Sequence, residues 1–583
     1  MKFSQNGFIG FSKLLNSHVL SDKSLISDSH QISHISNLRS IKSVSYIRFS
    51  KHVIIDLLQY TDLRIFKTHC SDQAYNFSDP VFVCIAPVKQ VTVSVELPAA
   101  DEAQIKNTLQ VRGKNMSSSA NEQTQYQKMT QTPIPKLIVT LAIPTIISML
   151  TNAIYNMADT FFVSQLGTSA AGAVGIVFSL MAIVQAIGFM LGMGAGSLIS
   201  RLLGQQQNDE ANKTGSTAFF TAVAFGLLLT LLGLSFLDPL MKILGATPTI
   251  LPYARDYARY ILLGAPVMCG SFVLNNILRS QGKAFLSMIG LSFGGFLNIA
   301  LDPLFIFVFD LKTGGAAIAT LLSQCVSFSI MLSFFLSGKS VVRLSLLKVS
   351  KKFSTYLLIV KTGLPSFCRQ GLASAATVAL NVSAAVYGDA AVAAMSIVGR
   401  IFMFVFSAML GFGQGYQPVV GFNYGAKKYQ RVRQAFRFSI LVGTILLTVL
   451  GAIGFIFAPQ ILALFRRDDQ AVIAIGAFAC RAQCAALLLQ PVITISNMTF
   501  QVLGRSLQAT FVSCCRQGLF FLPLIAILPA CFGLVGVQLT QPIADVLTFS
   551  CCIPLLLSFF RDLKKMENET DFPPKPNENK LPV

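Results

Sequence analysis

Asp302 lies in the run Phe296-Leu297-Asn298-Ile299-Ala300-Leu301-Asp302-Pro303-Leu304-Phe305-Ile306, in which nearly every other residue is apolar. A carboxylate at the centre of a membrane helix costs about 2.5–3.5 kcal/mol, so an acid in such a run points to an ion pathway or a proton relay. A second acid, Asp159, occupies a comparable run, Asn152-Ala153-Ile154-Tyr155-Asn156-Met157-Ala158-Asp159-Thr160-Phe161-Phe162. Two carboxylates in one apolar bundle repel each other, and holding a proton relieves the repulsion. The same oxygens would also suit a dehydrated Na+, because hard cations take oxygen ligands. The residues leave H+ and Na+ both open.

Other chemistries are excluded. All five histidines, His18, His30, His34, His52 and His69, precede the apolar region, so no histidine relay or histidine metal site can lie within it. Ten of the twelve cysteines fall in or beside apolar runs, including Cys514-Cys515 and Cys551-Cys552, and none has zinc-ligand spacing. Neither a His-Glu-x-x-His metalloenzyme motif nor the Gly-x-x-x-x-Gly-Lys-Ser/Thr phosphate loop occurs, so the chain reads as no enzyme and as not driven by ATP. No cofactor is expected beyond a coupling ion.

The elements that must hold the acids are membrane helices. The 583 residues are 53% hydrophobic and 12% charged, with a mean hydropathy of +0.60. At ~20 apolar residues per span, about twelve spans are expected, near 137–162, 171–200, 216–237, 254–278, 284–309, 314–337, 355–387, 391–420, 436–458, 471–499, 507–531 and 534–560. The expected fold is therefore all-α and polytopic.

A net charge of +20 would suggest a nucleic-acid partner in a soluble chain. Here the basic residues gather in alternate loops, Arg201 to Lys213, Arg279 to Lys283, Lys339 to Lys361, Lys427 to Arg437, Arg505, and a tail from Arg561. That is the positive-inside pattern, and with an even number of spans it places both ends of the membrane region in the cytoplasm of a cell (inner) membrane protein. The loops on the other side are poorer in basic residues, though Arg466 and Arg467 are among them. Residues 1–128 lack a span-length run and a signal-peptide layout. They read as a disordered extension or as sequence upstream of a true start at Met116 or Met129, with a strand possible around Asp79 to Ala86. The remaining boundaries are 129–350, 351–560 and a tail over 561–583.

Landmarks recur at a fixed offset. Pro144 matches Pro365 (365 − 144 = 221), Gly204 matches Gly425, Gly282 matches Gly504 at 222, and Gly315 matches Gly536. A duplicated unit of six spans gives two parallel copies related by an axis along the membrane normal, with a cavity between two bundles. The acids break this symmetry, since Leu380 and Pro523 stand 221 residues after Asp159 and Asp302.

Four segments carry a resemblance: Leu141-Ala142-Ile143-Pro144, Met157-Ala158-Asp159-Thr160-Phe161-Phe162-Val163, Asn298-Ile299-Ala300-Leu301-Asp302-Pro303-Leu304 and Gly413-Gln414-Gly415-Tyr416-Gln417-Pro418-Val419-Val420-Gly421-Phe422-Asn423-Tyr424-Gly425-Ala426. Over about residues 130–560 the chain resembles the multidrug and toxic compound extrusion (MATE) family, especially its DinF-like branch and the MepA-like pumps within it. The resemblance implies twelve helices in two six-helix lobes, a monomer in membrane lipid, and alternating access. It also implies export of small cationic or amphiphilic compounds in exchange for H+ or Na+. It suggests a cation site of Asp159, Asn298, Asp302 and Thr320 with Tyr155 and Asn275 beside it, and Na+ would sit at Asp159 and Asp302. Local spacing agrees, because Asn298 and Asp302, like Tyr155 and Asp159, are four apart on one helix face. Pro144 removes a backbone hydrogen bond and would let span 1 bend.

Among the polar residues of the second lobe, Gln414, Gln417 and Arg400 are candidates to line the cavity, with Met181 and Met403 as pliable apolar wall. Asp545 is expected to pair with an arginine such as Arg369, Arg400 or Arg516. The rival function is a lipid-linked precursor flippase or an organic-anion exporter of the same superfamily.

Overall fold

The computed structural model describes residues 45–48, 82–85, 122–465 and 469–571. The chain divides into two units, Met1–Ser117 and Ser118–Val583. In the first, strand β1 (Ser45–Arg48) pairs antiparallel with β2 (Phe82–Ile85), Tyr46 opposite Cys84. The second strand falls in the stretch read as one from sequence. The expectations of disorder and of a start at Met116 lie outside the described residues, as do Arg466 and Arg467.

The second unit is helical. In the first lobe α1 is Ile134–Ser164, α2 Thr168–Gly204, α3 Asn208–Ser235, α4 Leu251–Ser280, α5 Ala284–Val308 and α6 Lys312–Leu336. In the second, α7 is Phe353–Ala385, α8 Asp389–Gly425, α9 Tyr429–Ile456, α10 Gln470–Val502, α11 Ser506–Phe532 and α12 Leu534–Asp571. Among the described residues, 11 helices are long and apolar enough to cross a membrane. The twelfth expected span, α7, has 33 residues but a more polar sequence. Two of its polar positions face protein: Thr362 and Ser366 are buried, and the Thr362 carbonyl oxygen and the Ser366 hydroxyl oxygen take hydrogen bonds from Gln501 of α10. They need no lipid-compatible surface.

The duplication is visible at the turns. Gly167 and its copy Gly388 both have positive φ, +110° and +90°, as do Gly282 and Gly504, +78° and +82°. Only glycine adopts such backbone without strain, so the same turn joins the same pair of helices in each lobe. The copies also meet each other along a twofold seam. A Cβ at Gly204 would lie 2.3 Å from the Phe422 carbonyl oxygen, and one at Gly425 would lie 2.2 Å from that of Arg201. Since Phe422 is the copy of Arg201, the two contacts are one contact seen twice.

The lobes touch along the end that carries the basic connections. There α2 crosses α7 at Gly194 and Gly363, and α1 crosses α8 at Ala142 and Gly415, with backbone close enough that a Cβ would strike the facing chain. Toward the opposite end of these helices, Gly175, Gly371 and Gly399 have nothing within 4 Å of where a Cβ would stand. Close packing between the lobes is therefore confined to their basic-end halves.

Two expected boundaries move. The division at 128 falls inside a helix over 122–131 whose Met129 is fully buried. This helix is tied to the first lobe by Gln125 Nε2 donating to Gln281 O (2.7 Å) and Asn208 Nδ2 to Glu122 Oε2 (2.6 Å). The second lobe holds it through Asn423 Nδ2 to Met129 O (3.1 Å), Lys428 Nζ to Thr130 O (3.1 Å) and Arg431 Nη2 to Thr132 O (2.5 Å). The tail also starts later than 561, because α12 runs on to Asp571 and is anchored by Arg505 to Asp562 (2.7 Å) and Arg433 to Glu567.

Candidate cation-coupling site

In the first lobe α1, α5 and α6 bring Asp159, Asn298, Asp302 and Thr320 to a common depth. Asp159 is near the end of α1 and Thr320 near the start of α6, and both lie toward the end away from the basic connections. Asp302 precedes Pro303, which cannot donate a backbone hydrogen bond, and a π-helical turn follows at Leu304–Val308. Such turns re-aim a helix face and recur at functional sites. The result is an aspartate of 0% exposure, with Asn298 at 2% and Thr320 at 3%.

Asn298 Nδ2 donates to Asp302 Oδ1 (3.1 Å) and to Thr320 Oγ1 (3.3 Å), joining α5 to α6. From α4, Tyr257 Oη donates to Asp159 Oδ2 (3.2 Å). Tyr155, one turn before Asp159 on α1, is buried beside Asn298 and Thr320. Three buried oxygens here have no hydrogen-bond partner, Asp159 Oδ1, Asn298 Oδ1 and Asp302 Oδ2. Unsatisfied buried oxygens are costly, and together they form a donor set that a proton or a small hard cation would satisfy. A void of about 10 Å³ lined by Tyr155, Asn298, Thr320 and Ser323 adjoins them.

The structure does not place every expected residue here. Asn275 donates to Ser287 Oγ (2.7 Å) near the basic end. It lies 18 residues after Tyr257 on α4, roughly 27 Å along the helix, because α4 runs toward the basic end. Tyr257, absent from the sequence reading, takes the expected place of Asn275. The signal was available, since depth along an inward-running α4 puts its early residues level with Asp159. Pro144 is buried where α1 crosses α8, beside Thr145, whose Oγ1 donates to Gly411 O (2.6 Å). It is some 15 residues, about 22 Å, from Asp159.

The second lobe treats its acid differently. Asp545 is 1% exposed and accepts from Arg516 Nε (2.9 Å) and from Gln541 Nε2 (2.9 Å), while the guanidinium stacks on Phe406 at 4.4 Å. Of the expected arginine partners, Arg516 is the one used. Leu519, Phe478 and Gln541 are the copies of Asn298, Tyr257 and Thr320. The second lobe thus neutralises its buried carboxylate internally, and the first lobe has no cationic side chain in that position.

The cavity candidates scatter. Gln414 and Gln417 line a small void between the lobes, Arg400 and Met403 are exposed, and Met181 is core packing at 6% exposure rather than cavity wall. A larger cavity of about 630 Å³ opens between α7 and α11, lined by small aliphatic residues including Val378, Val382, Val386, Leu522 and Ile525.

Membrane-length helices in two parallel, pseudo-twofold lobes, with uncompensated acids in one of them, define a polytopic membrane transporter. The chain belongs to the MATE family: the MatE family profile matches residues 144–304 and 365–527, one match in each repeat. The multidrug export protein MepA of Staphylococcus aureus is 30% identical over 440 residues, which is 75% of this chain and 95% of that protein. A solved outward-facing conformation of a multidrug resistance MATE family transporter superposes with a TM-score of 0.72 at 28% identity, over 75% of this chain and 98% of the other. A transporter from Pyrococcus furiosus, described as having a binding pocket of reverse polarity, gives 0.71 at 28% identity over 75% and 98%.

Proposed function

We propose that this protein is a secondary exporter of small cationic or amphiphilic compounds, exchanging them for H+ or Na+ bound at Asp159 and Asp302. The observation that carries the reading is the pair of first-lobe carboxylates, Asp302 buried and Asp159 half-buried, each with a buried oxygen that has no hydrogen-bond partner. In the second lobe the buried acid is already neutralised by Arg516. A cation is what the first lobe lacks and the second does not need. Tyr257 and Asn298 each donate to one carboxylate and hold its rotamer, leaving the other oxygen for the ion.

The basic connections mark the cytoplasmic face, so the closed seam lies inward and the acids sit toward the outside. Alternating access then consists of opening the seam at the basic end and closing the lobes at the other. A proton moving down ~100 mV supplies about 2.3 kcal/mol. Each pH unit adds about 1.4 kcal/mol, enough to support a graded accumulation.

The test is efflux of a fluorescent cationic dye from proteoliposomes under separate proton and sodium gradients, with wild type and Asp302→Asn at equal protein density. Dye movement under one gradient identifies the ion, and it is expected to vanish in Asp302→Asn. Normal gradient-driven efflux by that variant would refute the assignment.

A further inference from the structure

A charge that the cation chemistry does not use lies in the seam between the lobes. Arg279, in the last turn of α4, is 5% exposed, and its Nε and Nη1 have no hydrogen-bond partner. Its Nη2 donates to Asn276 Oδ1 within the same helix. Gln414 of α8, 3% exposed, lines the same void, and it is the NH2 side of its amide that an anion there would use. Ser197, Ser200 and Gln417 complete the wall. Arg369 of α7 adds a second guanidinium at the seam, where its Nη2 contacts the Met193 sulfur at 3.9 Å. Among the described residues neither arginine pairs with a carboxylate.

The repeat shows that the scaffold does not require this charge. Gly282 and Gly504 are copies at an offset of 222, so the copy of Arg279 is Gln501. Gln501 is neutral, and its amide nitrogen is fully used on Thr362 O (3.1 Å) and Ser366 Oγ (2.8 Å). One lobe fills the position with an amide whose nitrogen is satisfied, and the other with a cation that lines a void and has two unpartnered donor nitrogens.

We propose that this void binds one small monovalent inorganic anion of about the size of chloride. Buried charges are stable when paired. A water molecule would accept the Arg279 hydrogen bonds but leave the charge in place. The void measures about 20 Å³, on a scale where roughly 10–15 Å³ holds one water, so a single small ion fits and a bulky organic acid does not. Arg279, Ser197 and Ser200 belong to the first lobe and Gln414 and Gln417 to the second, so the anion bridges the seam. Binding the closed seam more tightly than the parted one, it stabilises the closed form by mass action.

The test uses purified full-length protein in detergent at constant ionic strength, with potassium gluconate replaced stepwise by chloride. A saturable rise in the thermal unfolding midpoint and binding of one radioactive chloride per chain are expected for wild type, and both are expected to be lost in Arg279→Gln. That substitution installs the side chain of the other lobe, which favours its folding. Identical behaviour in chloride and gluconate would mean that the void holds water only and would overturn the proposal. Retention of the chloride response in Arg279→Gln would overturn it as well. If that variant does not fold, Arg279→Lys decides: weakened chloride binding is expected, and unchanged affinity rejects the site.

Discussion

Gly363→Ala tests whether the crossing of α2 and α7 holds the lobes together at the basic end. A Cβ at Gly363 would stand 1.8 Å from the Met190 carbonyl oxygen and 2.6 Å from its carbon. Ordinary contact begins near 3.4 Å, so the two backbones must separate by about 1.6 Å at this point. Backbone cannot swing aside as a flexible side chain does, and overpacking of this kind costs about 1–3 kcal/mol. That energy is charged only to the state in which the seam is closed, so the equilibrium moves toward the parted state by roughly 5–150-fold. Spin labels placed across the basic end in a cysteine-free background should show a longer-distance population in Gly363→Ala. Dye efflux from proteoliposomes should fall in parallel. Gly371→Ala, on the same helix with nothing within 4 Å, is the control and should leave both readouts unchanged. An unchanged distance distribution and wild-type efflux in Gly363→Ala would refute the reasoning.

Tyr257→Phe copies the residue of the second lobe, Phe478, and removes the hydrogen bond to Asp159. Bonds to charged groups are worth about 1.5–3 kcal/mol, so the concentration of coupling ion for half-maximal efflux should shift by at least tenfold. Asp545→Asn leaves Arg516 uncompensated and should lower stability by about 3–5 kcal/mol, read as a fall in the thermal midpoint, while Asp545→Asn with Arg516→Leu should recover most of the loss. Beginning the chain at Met129 removes Glu122 and Gln125, and with them the bonds to Asn208 and Gln281. The midpoint should drop relative to full-length protein, and label distances at the basic end should broaden.

How much was visible beforehand depended on how strongly a residue violates its surroundings. Asp159 and Asp302 stand out because a carboxylate in an apolar run has few structural excuses, and the paired glycines and prolines stand out because the duplication repeats them. Tyr257 does not, since a tyrosine in a membrane helix is ordinary until the helix direction gives its depth. Asn275 misleads for the same reason: its residue type suits a cation site, but its place late in α4 puts it near the opposite end. Helix 122–131 was hidden by its polarity, because its few buried residues, Gln125, Met129 and Thr130, are held by carbonyl acceptors and donors of two lobes rather than by a hydrophobic stripe. The α7 span survived part of its polar content for a related reason, as the Ser366 hydroxyl and the Thr362 carbonyl meet Gln501 instead of lipid.

The seam carries a statement about ancestry. At Gly204 and Gly425 each repeat presses its glycine against the same carbonyl of the other, Phe422 in one direction and Arg201 in the other. Mutual contact between equivalent surfaces is the mark of an isologous interface. A single six-helix unit bearing that glycine and that carbonyl would already have matched a second copy of itself, so fusion of the copies needed to invent no new contact. Linking them in one chain freed residues away from the axis to diverge, and the unpaired acids of one lobe and the Asp545–Arg516 ion pair of the other are what that freedom produced.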